Sequence, residues 1–318
     1  GGPRSGEAAD SGALAAASGD PVAQQRRFKY VYLVHIPKSG GSSFINDQKK
    51  LLPRDLLFKG NAELALWVQE TSRRALNRSA CSVTLLRNPL KHVLSQFLHC
   101  RYTKFKNPTN ANTVTWSIHY DDLEHPLVGL SEWLKTFTEA DLHDKAKPMF
   151  VYGCYNPWNM QARYLATMHS HHVVTRLAEP DAQAAKFGLQ NLTYVGIVDL
   201  YPETICGYQF YVSGALPPDC ECVNIVEKGA QLQHIAYRSP DHSVDQLTSD
   251  QLKLTSRLVR IDVQLFAHGL ALFEKQLDFI FRMTGKRIVC GNRLADLKHE
   301  ARGLCSNVGI AASLCAIP

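Results

Sequence analysis

The sequence predicts a three-layer α/β sandwich built on a mainly parallel central sheet. Short apolar, β-branched runs of strand length alternate with longer stretches of helical periodicity, the pattern of a sheet covered by crossover helices. Two of those runs end in turns containing Gly or Pro that lead straight into a helix. Of the 318 residues, 45% are hydrophobic, which suffices for a large core and excludes a disordered chain or a scaffold held by disulfides alone. No apolar run approaches the roughly 18 residues that a membrane span needs.

The elements come in this order along the chain. Residues 1–27 are rich in Gly, Ala and Ser and nearly free of large apolar side chains, so a flexible linker or stem is expected ahead of one folded domain at 28–318. The chain starts with Gly rather than Met, which reads as a processed or truncated product, with room for a removed signal or membrane anchor. Residues 29–36 (KYVYLVHI) read as a buried parallel strand bounded by Pro37 and glycines. Residues 42–50 read as a helix that Ser42 or Ser43 can cap, with Pro53 as the stop. A strand-like stretch at 56–58 precedes a helix at 62–76. Residues 82–86 (SVTLL) form a second buried strand, closed by Arg87-Asn88-Pro89. Leu90, Val93, Leu94, Phe97 and Leu98 then recur at helical spacing and predict a helix over 90–102.

Residues 103–122 are polar and irregular, and 130–137 and 159–168 are helical. Strands are expected at 172–176 and 192–198, and a helix at 202–213 with Pro202 in its first turn. Residues 217–243 are loop-rich, and 250–284 hold one or two long amphipathic helices.

Charge narrows little. Lys and Arg number 35 against 29 Asp and Glu, a net +6 that leans towards anionic partners, but the basic residues are scattered. No basic block with interleaved aromatics is present, so nucleic acid is not an expected partner. Cysteine is more telling. Cys81, Cys100, Cys154, Cys206, Cys220, Cys222, Cys290, Cys305 and Cys315, with sequons at Asn77 and Asn191, suggest an oxidising lumen. The odd count leaves at least one thiol outside the disulfides of this chain. Cys220-Glu221-Cys222 reads as loop disulfides, with Cys206 one candidate partner. His169-Ser170-His171-His172 has no spaced acidic or cysteine partners, so it reads as a solvated turn and no metal is expected. Trp67, Trp116, Trp133 and Trp158 are core candidates, with Trp116 and Trp158 able to stack on a sugar ring.

Two segments carry chemistry. The first is His35-Ile36-Pro37-Lys38-Ser39-Gly40-Gly41-Ser42-Ser43-Phe44, at a strand end and a helix start. Free backbone N–H groups and the helix dipole favour an anion there, and glycines let the backbone approach it. Lys38 supplies a point charge, and Ser39, Ser42 and Ser43 supply hydroxyls. The segment is a P-loop-like phosphate cradle, but not a Walker A loop, because the lysine precedes the glycines. The second runs from Leu85 to Phe97 (LLRNPLKHVLSQF), again strand, turn and helix. Arg87 can fork onto phosphate oxygens, and Ser95 lies two turns further along the same helix.

Together these segments resemble the 5′-phosphosulfate loop and the 3′-phosphate segment of PAPS-dependent sulfotransferases. The likeness is to Golgi carbohydrate sulfotransferases of the heparan sulfate 2-O- and 6-O- type. Weaker echoes are Asn159 to Leu165, which resembles a helix bordering the acceptor cleft, and Tyr194 to Asp199, which resembles a late strand with Asp199 in place of the usual acid. Asn224-Ile225 with 249–273 resembles the end of the domain, so the likeness spans roughly residues 29 to 282.

The resemblance implies transfer of a sulfuryl group from PAPS to a hydroxyl or amine of a carbohydrate-type acceptor, without a metal. It implies that Lys38 stabilises the charge developing on the leaving phosphate. Pro37, Lys38, Ser39, Gly40, Gly41, Ser42 and Ser43 would hold the 5′-phosphosulfate, and Arg87 and Ser95 the 3′-phosphate. The 2-O- and 6-O- relatives carry a histidine base between the two segments, whereas residues 45–86 contain no histidine. Glu63, His99 and His119 are the open candidates for the base. A type II Golgi anchor ahead of the stem would fit the sequons and cysteines. A P-loop-like kinase or NTPase and a non-catalytic glycan-binding module stand as alternatives.

Overall fold

A computed structural model describes residues 28–51, 57–59, 66, 80–102, 129–138, 155–166, 179–232 and 243–315. Several expected features lie outside the described residues: the stem at 1–27, most of the helix at 62–76 with Glu63, the excursion at 103–122 with Trp116 and His119, the histidine cluster at 169–172 and the strand at 172–176.

Four strands form one sheet: β1 (Tyr30–Val34), β2 (Leu57–Lys59), β3 (Ala80–Leu86) and β4 (Tyr194–Ile197). Their order is β2-β1-β3-β4 and every pairing is parallel, as the unalternating apolar runs imply. All seven residues of β3 and all four of β4 are buried. The polar residues in β3 have partners: Thr84 Oγ1 donates to Val34 O at 2.9 Å, and Ser82 N donates to Thr193 Oγ1 at 3.1 Å. Because Val34 pairs with Thr84 and Leu86 pairs with Ile197, β1, β3 and β4 end along one edge. In an open parallel sheet that carboxyl edge is where ligands bind.

The helices are α1 (Gly41–Leu51), α2 (Pro89–Tyr102), α3 (Leu130–Thr138), α4 (Met160–Ala166) and α5 (Ala182–Gln190). They continue with α6 (Tyr201–Ser213), α7 (Ile225–Gln231), α8 (Ser249–Leu258), α9 (Arg260–Thr284) and α10 (Arg293–Asn307). Close approach shows how they cover the sheet. A Cβ on Gly269 of α9 would lie 2.4 Å from Leu86 in β3, and one on Gly196 of β4 would lie 2.3 Å from Thr204 in α6. A buried polar pair joins α1 to α6, with Tyr201 donating to Asp47 and Tyr208 to Gln48, both at 2.9 Å.

Three details depart from the sequence reading. The first helix opens at Gly41 and its first bond runs from Phe44 N to Gly40 O, so neither Ser42 nor Ser43 is its cap. The 250–284 stretch, read as one or two helices, is two, which meet at Val259. Helix α5 was not anticipated, although Asp181 accepts from Gln183 N and Ala184 N as an N-cap. Helix α10 was not anticipated either: its mean hydropathy is low, and only Leu297, Ala301, Leu304 and Cys305 are buried.

Three disulfides join Cys206 to Cys220, Cys222 to Cys290 and Cys305 to Cys315, and Cys100 is also disulfide-bonded. Cys81 in β3 keeps its thiol and is buried. Among the described residues no helix is long and apolar enough to cross a membrane, and no group of His, Cys, Asp and Glu could hold a metal ion.

Candidate active site at the carboxyl edge of the sheet

The loop after β1 turns on two left-handed residues, Lys38 at φ 62° and Gly40 at φ 74°. Glycine adopts that conformation freely, whereas for lysine it costs roughly 1–2 kcal/mol. Ser39 N donates to Ile36 O at 3.3 Å and Phe44 N to Gly40 O at 2.9 Å. The backbone N–H groups ahead of Phe44 therefore fall in the first turn of α1, where a helix presents unsatisfied donors. Gly41 lies under the His35 imidazole, so close that a Cβ there would come within 2.2 Å of the ring. The Ser39 side chain is buried, and its Oγ has no hydrogen-bond partner among the described residues.

The loop after β3 is built by capping. Asn88 Oδ1 accepts from Leu90 N at 3.0 Å and from Lys91 N at 3.3 Å, while Pro89 takes the first helical position, where its missing N–H costs nothing. Asp199, just past β4, accepts from Asn88 N at 3.1 Å and from Lys91 Nζ at 2.8 Å. Glu300 of α10 accepts from Asn88 Nδ2 at 2.9 Å.

Arg87 sits between these loops. Its Nη1 donates to Lys38 O at 3.1 Å, its N–H donates to Gln161 Oε1 and its carbonyl accepts from Gln161 Nε2, both at 3.0 Å. Burial pulls the Arg87 guanidinium below its ordinary value, and Asp199 partly offsets this. It stays charged all the same. Gln161 is held in turn by Asp262, which accepts from Gln161 N at 3.2 Å and from Ala162 N at 2.8 Å and so caps α4. Asn159 Oδ1 acts in the reverse direction, accepting from Ile261 N at 2.8 Å at the start of α9.

Four further polar side chains of α2, His92, Ser95, Gln96 and His99, are buried. His92 Nε2 donates to Pro37 O at 2.7 Å, and its Nδ1 accepts from Gln96 Nε2 at 3.2 Å. Burial pushes His92 down to about 3, helped by the Arg87 and Lys38 charges and opposed by the bond to Pro37. Ser95 is buried one turn on. His99 is buried too, its ring stacked on Tyr155 at 5.5 Å between centroids, and burial with the Lys38 charge pushes it down to about 4.

The structure thus gathers Pro37, Lys38, Ser39, Gly40, Gly41, Ser42 and Ser43 into one turn and sets Arg87 against it, while Ser95 and His99 lie further along α2. Glu63 and His119 lie outside the described residues. His92, Gln161 and Asp262 had no assigned role in the sequence reading. For His92 a weak signal existed, since helical spacing puts it on one face of α2 with Ser95 and His99. The partners of Gln161 and Asp262 lie 74 and 101 residues away and leave no local trace. No family model and no curated protein matches the chain.

Proposed function

We propose that the protein is a PAPS-dependent sulfotransferase acting on a carbohydrate-type acceptor. One observation supports this above the others: the Lys38 loop and the Arg87 loop leave the carboxyl ends of the neighbouring strands β1 and β3 and are tied by the bond from Arg87 Nη1 to Lys38 O. A nucleotide carrying phosphate at both its 5′ and 3′ positions needs two anion-binding points side by side. The residues fit such a group. The orphaned Ser39 hydroxyl lacks an acceptor, which a phosphosulfate oxygen would provide, and the first-turn amides of α1 are donors of the kind that bind such a group.

PAPS supplies an activated sulfuryl group whose S–O bond to phosphate breaks as a new S–O bond to the acceptor oxygen forms. In this reading Lys38 and the amides at the start of α1 stabilise the negative charge that moves onto the leaving phosphate. Arg87 and Ser95 hold the 3′-phosphate. A neighbouring base takes the acceptor proton. His99 is neutral above about pH 4 and so is in its proton-accepting form, and Glu63 remains the other candidate. We read the helices as flanking the sheet in three layers, with the loop after β1 as the phosphosulfate cradle. The disulfides, together with the exposed sequon Asn191, fit a Golgi lumenal enzyme.

Thermal stabilisation by PAP, the desulfated product, compared with ATP tests the reading. PAP should stabilise and ATP should not; the reverse would mark a kinase or NTPase. Transfer of labelled sulfate from PAPS to a glycan, lost in Lys38→Ala, excludes a binding module. Arg87→Ala should weaken PAP binding more than acceptor binding, and equal losses would remove the role given to Arg87.

A further inference from the structure

We infer that His92 is a positioning residue that sets the direction in which the Lys38 side chain leaves the loop, by pinning the peptide in front of it from across the sheet edge. The inference rests on the sulfotransferase reading for its consequence, but not for its geometry.

The direction in which Lys38 leaves the backbone is set by the two peptide planes that meet at its Cα. The plane behind it is fixed at both ends, since Lys38 O accepts from Arg87 Nη1 at 3.1 Å and Ser39 N donates to Ile36 O at 3.3 Å. The plane in front contains the Pro37 carbonyl, which accepts from His92 Nε2 at 2.7 Å. Each peptide is rigid, so two anchored planes leave the Cα–Cβ bond of Lys38 one direction. Something must do this, because φ 62° is unfavourable for a lysine and persists only where the surroundings enforce it. Both ties come from the second loop and its helix: Arg87 holds the carbonyl after Lys38 and His92 the carbonyl before it.

The imidazole is built for a fixed donor. Pro37 O can only accept, so Nε2 must carry the proton, and Gln96 Nε2 donates to the bare Nδ1 at 3.2 Å. His92 is 1% exposed and Gln96 fully buried, so water does not compete for either bond. The charged groups around the ring, Lys38 and Arg87, both oppose a second proton. An ordinary buried histidine needs only some acceptor. This one donates its proton 55 residues away, to the residue next to the candidate catalytic lysine.

The test compares His92→Phe, which fills the space without a donor, with His92→Gln, whose amide nitrogen can stand where Nε2 stood. Sulfate transfer from PAPS and the Kd for PAP are read for both. His92→Phe should lower kcat by about 100-fold, the scale of a misplaced catalytic group, while the Kd for PAP changes far less, and His92→Gln should recover most of kcat. Equal kcat in the wild type and His92→Phe, or no recovery in His92→Gln, would overturn the inference. A wild type that neither binds PAP nor transfers sulfate condemns the sulfotransferase reading instead. The tie itself is read without any ligand, and without any variant that must fold, from the ring 15N shifts of His92 in the wild type. They should report a neutral ring protonated at Nε2 from pH 5 to 8, within the range where free histidine titrates. A ring protonated at Nδ1, or at both nitrogens at pH 6, would sink it.

Discussion

Around the carboxyl edge of β1 and β3 the chain is fixed by buried side chains bonding to backbone, with Arg87, His92, Gln161 and Asn88 as the fasteners. From α6 to α10 it is fixed by three disulfides and by ion pairs such as Lys298 with Glu274 at 2.9 Å and Lys228 with Asp219 at 2.8 Å. The two means do different jobs. A disulfide restricts the unfolded chain and keeps a loop-rich segment closed, but it aims nothing. A hydrogen bond to a carbonyl contributes modestly to stability, yet it sets the orientation of a peptide plane. The edge that, in the proposed function, presents the Lys38 charge is held by the second means.

If that contrast is right, breaking each region should fail in a different way. The largest expected effect on folding is in the covalent region. Replacing Cys222 and Cys290 by serine opens a 68-residue span, and chain entropy gives a loss of about 4 kcal/mol, read as a lower urea midpoint. The PAP affinity of the folded fraction should stay near the wild-type value; a parallel collapse would show the two regions to be one unit. Lys38→Ala should behave in the opposite way, lowering kcat by about 100- to 1000-fold at nearly unchanged stability. Lys38→Gly sharpens this further, since it should raise stability by roughly 1 kcal/mol through relief of the left-handed lysine while transfer is still lost.

Gly41→Ala comes next. The added methyl group meets the His35 ring, and a strained fit of that kind costs about 1–3 kcal/mol, with PAP affinity falling alongside. The smallest effect is on pH dependence. His92 and His99 stay neutral in the fold down to about 3 and about 4, against an ordinary 6.5, so below 6.5 the unfolded chain binds protons that the fold refuses. Their contribution to stability is therefore lost as pH falls. Asp262 acts oppositely: burial holds its carboxyl at about 7 against 3.8, so the fold binds a proton that the unfolded chain gives up. His268, also lowered by burial, acts with the two histidines, and Glu203, raised by burial, acts with Asp262; three groups outweigh two, and urea midpoints should fall between about pH 6.5 and 4.5. In Asp262→Asn, where one opposing carboxyl is gone, the decline should be steeper.

Much of the fold and the candidate site could be read from the chain because those features are local. An apolar run that must be buried on both faces, a Gly-Gly turn and an Arg-Asn-Pro corner each announce themselves within ten residues, and they account for strands β1 and β3 and helices α1 and α2. Helix α10 escaped because its buried face is narrow, and the place where the 250–284 stretch divides has no local sign because helix α9 is capped by Asn159, 102 residues before Ile261. The pairing of Cys222 with Cys290 had no local sign either.

The sequence by itself determined the residue types at both loops: a lysine before two glycines, an arginine before Asn-Pro, and serines on helices α1 and α2. Covalent order and short-range sterics suffice for that. Only the tertiary structure decided that β1 and β3 are neighbours, that Arg87 reaches Lys38 O, and that His92 takes the Pro37 carbonyl. Those contacts join residues 49 and 55 positions apart, and such pairings are chosen by how the sheet packs and which buried donors still lack acceptors.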